Sequence, residues 1–244
     1  MLFFAPKILK EILSNLPTII LKSVNITEVL KEAGPFLLRF GKSELDAKLF
    51  GSLQYLQTNK LQIVNKLTQN SADQSLGIAV LKLYFGQLKN EQGLVLDMRS
   101  QHFSQAGTIL NWKPNSTWYK MKNEFRLALI DLYKSFYFDN HEKFVQALSE
   151  LGLSKGLNAE QVLELKELFK NHFGNGDQTE VNFDLNAFND SFAELFKFFV
   201  AHKVEIKTDF IFLGVYLITL YQNLEKIGGS HNVREAFISQ FPNP

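Results

Sequence analysis

Histidine is the residue type in this sequence that is best suited to metal binding or proton transfer. The five histidines show neither His-x-x-x-His nor His-Glu-x-x-His spacing, which would place two ligands on one face of a helix. A zinc site is therefore not indicated, and surface or helix-capping roles are favoured. The residues are His102, His141, His172, His202 and His231.

Other chemical motifs are also missing from the sequence. Cysteine is absent, which excludes disulfides, thiolate nucleophiles and cysteine metal ligands. Neither a Gly-x-Ser-x-Gly elbow nor a phosphate-binding P-loop occurs. Residues 174–177 with Glu180 loosely suggest a calcium loop, but their oxygen ligands are out of register, so we interpret this segment as an ordinary loop. The sequence thus predicts no metal ion and no cofactor.

The balance of charge and hydropathy limits the partners. Twenty-six basic and 25 acidic residues give a net charge of +1, without a strongly basic stretch, so nucleic acid is not expected as a partner. The longest uncharged apolar stretch, residues 210–221, is well short of the roughly 20 residues that span a bilayer. Residues 1–7 lack the basic start of a secretory signal. We expect an intracellular protein that is soluble or peripherally attached to a membrane.

Phenylalanine is unusually frequent, at 23 of 244 residues, and 45% of the chain is apolar. Such a chain can bury a sizeable core in one large domain or in two lobes that share an interface. The aromatic rings can form a dry core, or they can line a pocket for an apolar ligand such as an isoprenoid or acyl chain. Both interpretations stay open on the sequence alone.

The apolar periodicity predicts a mainly α-helical fold with one small β-hairpin. Residues 6–70 read as an interrupted series of short helices. Residues 78–85 and 94–98 are β-favouring runs separated by a turn-like segment, so we expect a hairpin over about residues 77–98, followed by a loop over 100–115. The hairpin should pack on helices, because a lone hairpin is only marginally stable in water.

From residue 116 onward the pattern is helical throughout. The expected helices cover residues 117–137, 141–151, 159–173, 186–203, 209–227 and 231–240. Each segment opens with a residue that can cap a helix, and these residues are Ser116, Asn140, Asn158, Asp184 or Asn186, Thr208 and Ser230. The helix over 209–227 is apolar on nearly all sides, which predicts a central buried position. Gly228 and Gly229 should end it, because glycine tolerates positive φ.

The C-terminal half, residues 113–244, resembles the part of the UbiB/AarF-type atypical kinase family that follows its metal-binding Asp-Phe-Gly. There, a helix after a polar turn leads to a short connection with an aspartate, a helix that ends in Leu-Gly, and later a long apolar helix. The matching segments here are residues 123–126, 138–144, 148–152 and 209–227, ahead of Asn232. The resemblance implies a helical C-lobe of a truncated protein-kinase-like fold.

Residues 1–112 resemble the same family over shorter stretches, which implies a degenerate N-lobe within one compact unit. Residues 30–42 are similar to its Leu-Gly-Pro-x-x-x-Lys-x-Gly-Gln segment, and residues 53–57 match its Leu-x-x-Leu-Gln element. The resemblance places residues 75–81 at the Ala-rich nucleotide loop and residues 94–98 at the strand with the ATP-binding lysine. The expected hairpin then corresponds to that of a kinase N-lobe.

The positions that carry phosphoryl transfer in the family differ in this chain. Its Lys-x-Gly-Gln signature, its nucleotide lysine and its Asp-Phe-Gly are all replaced, and no segment matches the catalytic loop. The residues at the degenerate positions are Arg39, Lys42, Gly77, Asp97, Lys113 and Asn115. An aspartate in place of the lysine repels triphosphate oxygens, by several kcal/mol at about 4 Å.

Each of these positions also has a purely structural interpretation. Arg39 and Lys42 can be solvated helix charges, Asp97 can be an outward-facing strand residue, and residues 113–115 can form an ordinary turn.

The missing catalytic set implies a pseudokinase rather than an enzyme. We expect a non-catalytic kinase-like binding or scaffold protein close to isoprenoid-quinone (ubiquinone) biosynthesis or lipid metabolism, since the resemblance implies that neighbourhood. Its partner would be another protein, an apolar lipid or isoprenoid ligand, or a membrane surface. The alternatives are a structural subunit of a larger protein assembly and a helical carrier of an apolar small ligand.

Overall fold

The computed structural model describes residues 45–67, 76–173 and 180–244. Within these ranges the chain is mainly helical, which confirms the predicted class. The helices are α1 (Ala47–Ser52), α2 (Gly77–Gln87), α3 (Asn123–Tyr137), α4 (His141–Leu151), α5 (Ala159–Phe173), α6 (Leu185–Ala201), α7 (Asp209–Ile227) and α8 (Val233–Gln240). The strands are β1 (Leu61–Ile63), β2 (Leu94–Val95), β3 (Phe103–Ala106), β4 (Ile109–Trp112), β5 (Trp118–Tyr119), β6 (Val181–Asn182) and β7 (Ser230–His231).

Helix α7 is largely buried within the described fold, as its apolar sequence predicts. All but four of its 19 residues are buried. Asp209 at its N-terminus accepts hydrogen bonds from the Tyr119 hydroxyl (3.2 Å) and the Lys122 backbone N–H (3.0 Å), which ties β5 and the start of α3 to α7. The two glycines predicted to end the helix do so, with φ of 74° at Gly228 and 76° at Gly229.

Helices α2, α3 and α8 pack through a cluster of aromatic rings. The Phe85 ring lies 5.5 Å from Tyr133 and 5.2 Å from Phe237, in both cases edge to face. Tyr137 lies 4.9 Å from Phe237. Edge-to-face pairs are favoured because the positive edge of one ring meets the negative face of the next. Of the two interpretations of the phenylalanine content, these contacts support the dry aromatic core.

The strands form three small sheets. Strands β3 and β4 make an antiparallel hairpin, and β1 adds to β4 in parallel, with Leu61 opposite Leu110. Gly107, at φ 61°, is the first residue of the two-residue hairpin loop, where a type II′ turn requires positive φ. Strand β2 pairs with β5, and β6 pairs with β7, both antiparallel.

The predicted hairpin over residues 77–98 is wrong. Residues 77–87 form helix α2, and the hairpin of the fold lies instead over residues 103–112, in the segment predicted as a loop. Helix α2 is buried on almost every side, so its sequence lacks the 3.6-residue period that separates a helix from a strand. Strand β2 pairs with β5, which no local pattern near residue 94 indicates.

The predicted helix starts are correct in part. Asn140 and Asp184 cap α4 and α6 through their side chains, and Asn158 and Gln161 exchange hydrogen bonds at the start of α5. Ser116 starts no helix, because residues 118–119 pair with β2 before α3 can begin at Asn123. Thr208 precedes α7 without a side-chain cap, and Asn232 caps α8 in place of Ser230.

The early helices predicted over residues 6–70 fall mostly outside the described residues. Within the described part, α1 is helical, whereas residues 61–63 form strand β1 rather than helix.

Many contacts cross the predicted boundary at residue 112. Strand β2 pairs with β5, the Phe85 ring lies 5.2 Å from the Phe237 ring, and the Tyr84 and Tyr133 hydroxyls lie 2.8 Å apart. Among the described helices, none combines the length and the apolar character needed to cross a bilayer.

Candidate functional site

A row of polar residues on the apolar helix α7 holds the segment that contains Asp97. We call this row the polar seam, and its residues are Tyr216, Thr219, Asn223 and Lys226. Their spacing of three and four places them on one face of the helix. Thr219 Oγ1 donates to the Leu96 carbonyl (2.5 Å) and accepts from the Met98 N–H (3.1 Å), one residue on either side of Asp97.

The two ends of the polar seam hold the same segment on either side of Asp97, at Val95 and at Ser100. The Tyr216 hydroxyl donates to the Tyr84 carbonyl (2.9 Å) and accepts from Gln87 Nε2 (2.9 Å). Gln87 Oε1 in turn accepts from the Val95 N–H (2.8 Å). At the other end, Lys226 Nζ donates to Ser100 Oγ (3.0 Å). The backbone around Asp97 is therefore held by side chains of helices α2 and α7, together with the β2–β5 pairing and the hydrogen bond from the Leu96 N–H to the Thr117 carbonyl (2.8 Å).

Asp97 is buried and surrounded by protein donors. Its side chain is 4% exposed and receives four hydrogen bonds. Oδ1 accepts from Arg99 Nε (2.8 Å) and the Arg99 N–H (3.2 Å), and Oδ2 accepts from Arg99 Nη2 (2.7 Å) and His102 Nε2 (3.0 Å). An ionised carboxylate offers about four lone-pair sites, so this one has no site left for a metal ion or a substrate proton.

The charge of Asp97 follows from these contacts. Burial alone raises the pKa of a carboxyl group, but the hydrogen bonds and charges of Arg99 and His102 outweigh burial and hold the pKa of Asp97 well below its ordinary value of 3.8. Asp97 is therefore ionised at any physiological pH, with its charge neutralised locally.

The structure gathers only some of the predicted site residues. Arg39 and Lys42 lie outside the described residues. Gly77 begins α2, and the Gln87–Val95 contact is at the other end of that helix, about 15 Å away along its axis. Gly77 is therefore not part of the Asp97 cluster.

Lys113 and Asn115 do lie beside Asp97. The Lys113 N–H donates to the His102 carbonyl (2.9 Å), and Asn115 Nδ2 lies 3.5 Å from the Asp97 carbonyl. Asn115 Oδ1 accepts from the Thr117 N–H (2.8 Å), the turn chemistry expected for residues 113–115. Lys113 reaches this segment through its backbone N–H and Asn115 through its side-chain amide, in both cases at a backbone carbonyl, and neither bonds to the Asp97 carboxylate.

Sequence reasoning missed Arg99, His102 and Thr219. His102 was expected at the surface or a helix cap, but its imidazole is only 18% exposed and bonds to Asp97. His231 is buried as well, in strand β7, whereas His141 begins α4 and is exposed as expected. The close spacing of Asp97, Arg99 and His102 was visible in the sequence, but the burial that makes it meaningful comes from α7.

At least two cavities occur among the described residues. One, of about 30 Å³, lies between α2, α3, α7 and strand β6 and is lined mainly by aromatic rings. The other is a groove of about 200 Å³ between α3 and α4. Lys134, Lys143, Asp131 and Glu150 line the groove, and burial raises the pKa of Asp131. In the described part of the chain, no three histidine or carboxylate side chains are grouped so that they could hold a metal ion.

No protein-family model matches this chain, and no curated protein matches it.

Proposed function

We propose that the chain is a non-catalytic, kinase-like binding or scaffold protein that acts near isoprenoid-quinone or lipid metabolism. The sequence resemblance to the UbiB/AarF family supports the kinase-like part and the metabolic neighbourhood. The state of the Asp97 carboxylate supports the absence of catalysis.

Kinase-type phosphoryl transfer needs carboxylates with free oxygens. One positions the attacking hydroxyl, and others hold the Mg²⁺ ions that bridge the phosphates. The Asp97 carboxylate is occupied on both oxygens by Arg99 and His102. A metal ion at this position would have to displace a guanidinium that already supplies a positive charge in bidentate geometry. This occupied carboxylate is the observation that carries the proposal.

The alternative, a structural subunit of a larger assembly, has its own support. Leu163 of α5 is 53% exposed, and Val200 of the adjacent α6 is 39% exposed. Gln161 and His202 hydrogen-bond across the same two helices (3.1 Å). Two apolar side chains on neighbouring helices would suit an interface with a partner protein. Native mass spectrometry distinguishes these two functions. A structural subunit should be detected in a complex of defined stoichiometry, whereas a binder of apolar molecules should be detected with bound lipid.

The proposal is tested by measuring ATP turnover with Mg²⁺ and with Mn²⁺. We expect no turnover above the protein-free background, both in the natural chain and in Arg99→Ala, which uncovers the Asp97 carboxylate. Asp97→Asn and the exposed control Asp190→Asn should likewise show no ATP turnover above the background. Metal-dependent turnover that Asp97→Asn abolishes and Asp190→Asn retains would refute the absence of catalysis.

A further inference from the structure

Strands β6 and β7 form a small clasp that closes one side of the fold. Val181 pairs with His231 and Asn182 with Ser230, and the Glu180 carboxylate accepts a hydrogen bond from the Ser230 hydroxyl. We call these two strands the clasp. Only two residue pairs hold it together, so it should open far more easily than the helical core.

The clasp covers the aromatic cavity of about 30 Å³. This cavity is lined by Val181 of β6 and by Phe183, the residue that follows β6. Val233, the first residue of α8, also lines it. The opposite wall contains the rings of Tyr84, Tyr133, Tyr137 and Tyr221. If the clasp opens, this aromatic surface becomes exposed to solvent.

His231 joins the clasp to helix α2. Gly77 is the first residue of α2, and a Cβ atom built there would lie 2.1 Å from His231 Cε1 and 2.3 Å from Nε2. The imidazole therefore occupies the space that a side chain at position 77 would need. The ring is also 6.0 Å from the Phe183 ring and is 6% exposed as a residue. Opening the clasp requires this ring to leave the first turn of α2.

The surroundings of His231 suit a neutral ring. Nε2 is buried and has no hydrogen-bond partner. The positive end of the α2 dipole lies next to the ring and disfavours a second positive charge. Burial lowers the pKa of His231, while a backbone hydrogen bond to Gly228 and the Glu180 carboxylate oppose this effect without cancelling it. A proton on Nε2 would have no acceptor in the closed clasp.

The other charged groups on the elements around His231 are engaged elsewhere. On α2, Lys82 pairs with Glu235 of α8 (3.6 Å). Arg234 of α8 donates to the Tyr137 carbonyl (3.2 Å). At the end of α7, Glu225 accepts from the Leu185 N–H (3.0 Å). Lys226 belongs to the polar seam. Among the described residues, Glu180 is thus the carboxylate that acts on His231.

We propose that the clasp is a proton-sensitive gate over the aromatic cavity, with His231 as its sensor: protonation drives the ring off the first turn of α2 and separates β6 from β7. This inference is independent of whether the protein is catalytic. In the open form the ring is solvated and titrates near its ordinary value of 6.5, whereas the closed form resists the proton. The closed clasp is therefore fully stable above about pH 6.5 and loses stability as the pH falls below that value.

Hydrogen exchange at the β6 and β7 backbone amides measures the opening directly. Relative to unstructured amides at the same pH, protection in the natural chain should fall by up to about tenfold per pH unit below pH 6.5, since one proton is taken up on opening. His231→Phe keeps a planar ring without a titrating group, so its protection should be independent of pH. His231→Gln serves the same purpose if the phenylalanine variant does not fold.

The exposed His141 provides the matched control. His141→Gln should show the same loss of protection on acidification as the natural chain. Equal loss in His231→Phe or His231→Gln, or pH-independent protection in the natural chain, would overturn the proposal.

Gly77→Ala tests the mechanical step at neutral pH. Gly77 does not have positive φ, so alanine fits the backbone, and the three atoms nearest to its methyl group all belong to the His231 imidazole. This variant should bind the apolar dye anilinonaphthalene sulfonate at neutral pH as the natural chain does in acid. In the double variant Gly77→Ala with His231→Ala the collision is gone, and dye binding should fall again. The gate would be contradicted if the dye bound neither to the natural chain in acid nor to Gly77→Ala at neutral pH. Equal dye binding by Gly77→Ala and by the double variant would contradict it as well.

Discussion

At the scale of single residues, the polar seam of α7 contains both satisfied and unsatisfied buried groups. Thr219 is fully buried and makes hydrogen bonds to the backbone on both sides of Asp97. Asn223, one turn later and also 0% exposed, has no partner for either its amide nitrogen or its oxygen. Burying an amide without partners costs a few kcal/mol, so these two neighbours make opposite contributions to stability.

Replacing the two residues separately should reveal this difference. Asn223→Leu removes two unsatisfied atoms and keeps a similar shape, so the free energy of unfolding should rise by about 1 kcal/mol. Thr219→Val leaves the Leu96 carbonyl and the Met98 N–H without partners, and the free energy should fall by about 2 kcal/mol. Urea denaturation followed by circular dichroism measures both changes. A loss of stability in Asn223→Leu would mean that the amide has a bonded role that the structure does not contain.

At the scale of elements, the ends of the helices are set by local chemistry. Helix α4 begins at the Asn140 cap and ends at Gly152, which has φ of 84°. The Leu153 N–H donates back to the Leu148 carbonyl (2.8 Å), and the Gly152 N–H donates to Ser149 (2.9 Å), which satisfies carbonyls left free at the helix end. The left-handed conformation at residue 152 is what turns the chain toward α5.

Gly152→Ala should destabilise the protein through the backbone alone. A Cβ there would meet nothing closer than Lys207 Cε at 3.7 Å, so the penalty is conformational and amounts to about 1 kcal/mol. Gly51→Ala is the matched control, because Gly51 lies in helix α1 with open space around it. There alanine should stabilise by roughly 0.5 kcal/mol. Thermal unfolding of both variants checks the two signs, and a loss of stability in both would contradict the assignment of the effect to φ.

At the scale of the whole molecule, stability depends on aromatic packing between helices that are distant in sequence. Helix α8 inserts Phe237, which is fully buried, between Phe85 of α2 and Tyr137 of α3. Arg126 of α3 adds a polar link, since its Nη1 donates to the Leu88 carbonyl at the end of α2 (2.9 Å). Helix α8 is thus held against α2 and α3 by aromatic contacts.

Phe237→Ala should lower the free energy of unfolding by about 4 kcal/mol, because it removes a buried ring and leaves a cavity among other rings. The same type of truncation at the exposed Leu163 should change it by less than about 0.5 kcal/mol. Denaturant titration of both variants measures the difference. Similar small effects at the two positions would mean that α8 is not part of the cooperative core.

The helices with a clear apolar face and capping residues could be predicted from the sequence. The bounds of α4, α5 and α7 agree with the prediction, since Asn140, Asn158 and Gly228 mark their ends. These signals are local, because a cap or a helical period involves residues within a few positions of one another.

The tertiary structure alone decided the rest. Helix α2 was mistaken for a strand, because burial on nearly all sides removes its period. Strands β1 and β2 pair with β4 and β5, which lie far along the chain, so no neighbouring residue indicates the pairing. Asp97, Arg99 and His102 are close in the sequence, but the buried backbone on which they form a saturated cluster is held by distant partners, which include Thr219 of α7 and strand β5. The local features of the chain, such as caps and helical periods, could therefore be predicted from neighbouring residues. Burial decides what the polar groups can do, and it depends on contacts between distant segments.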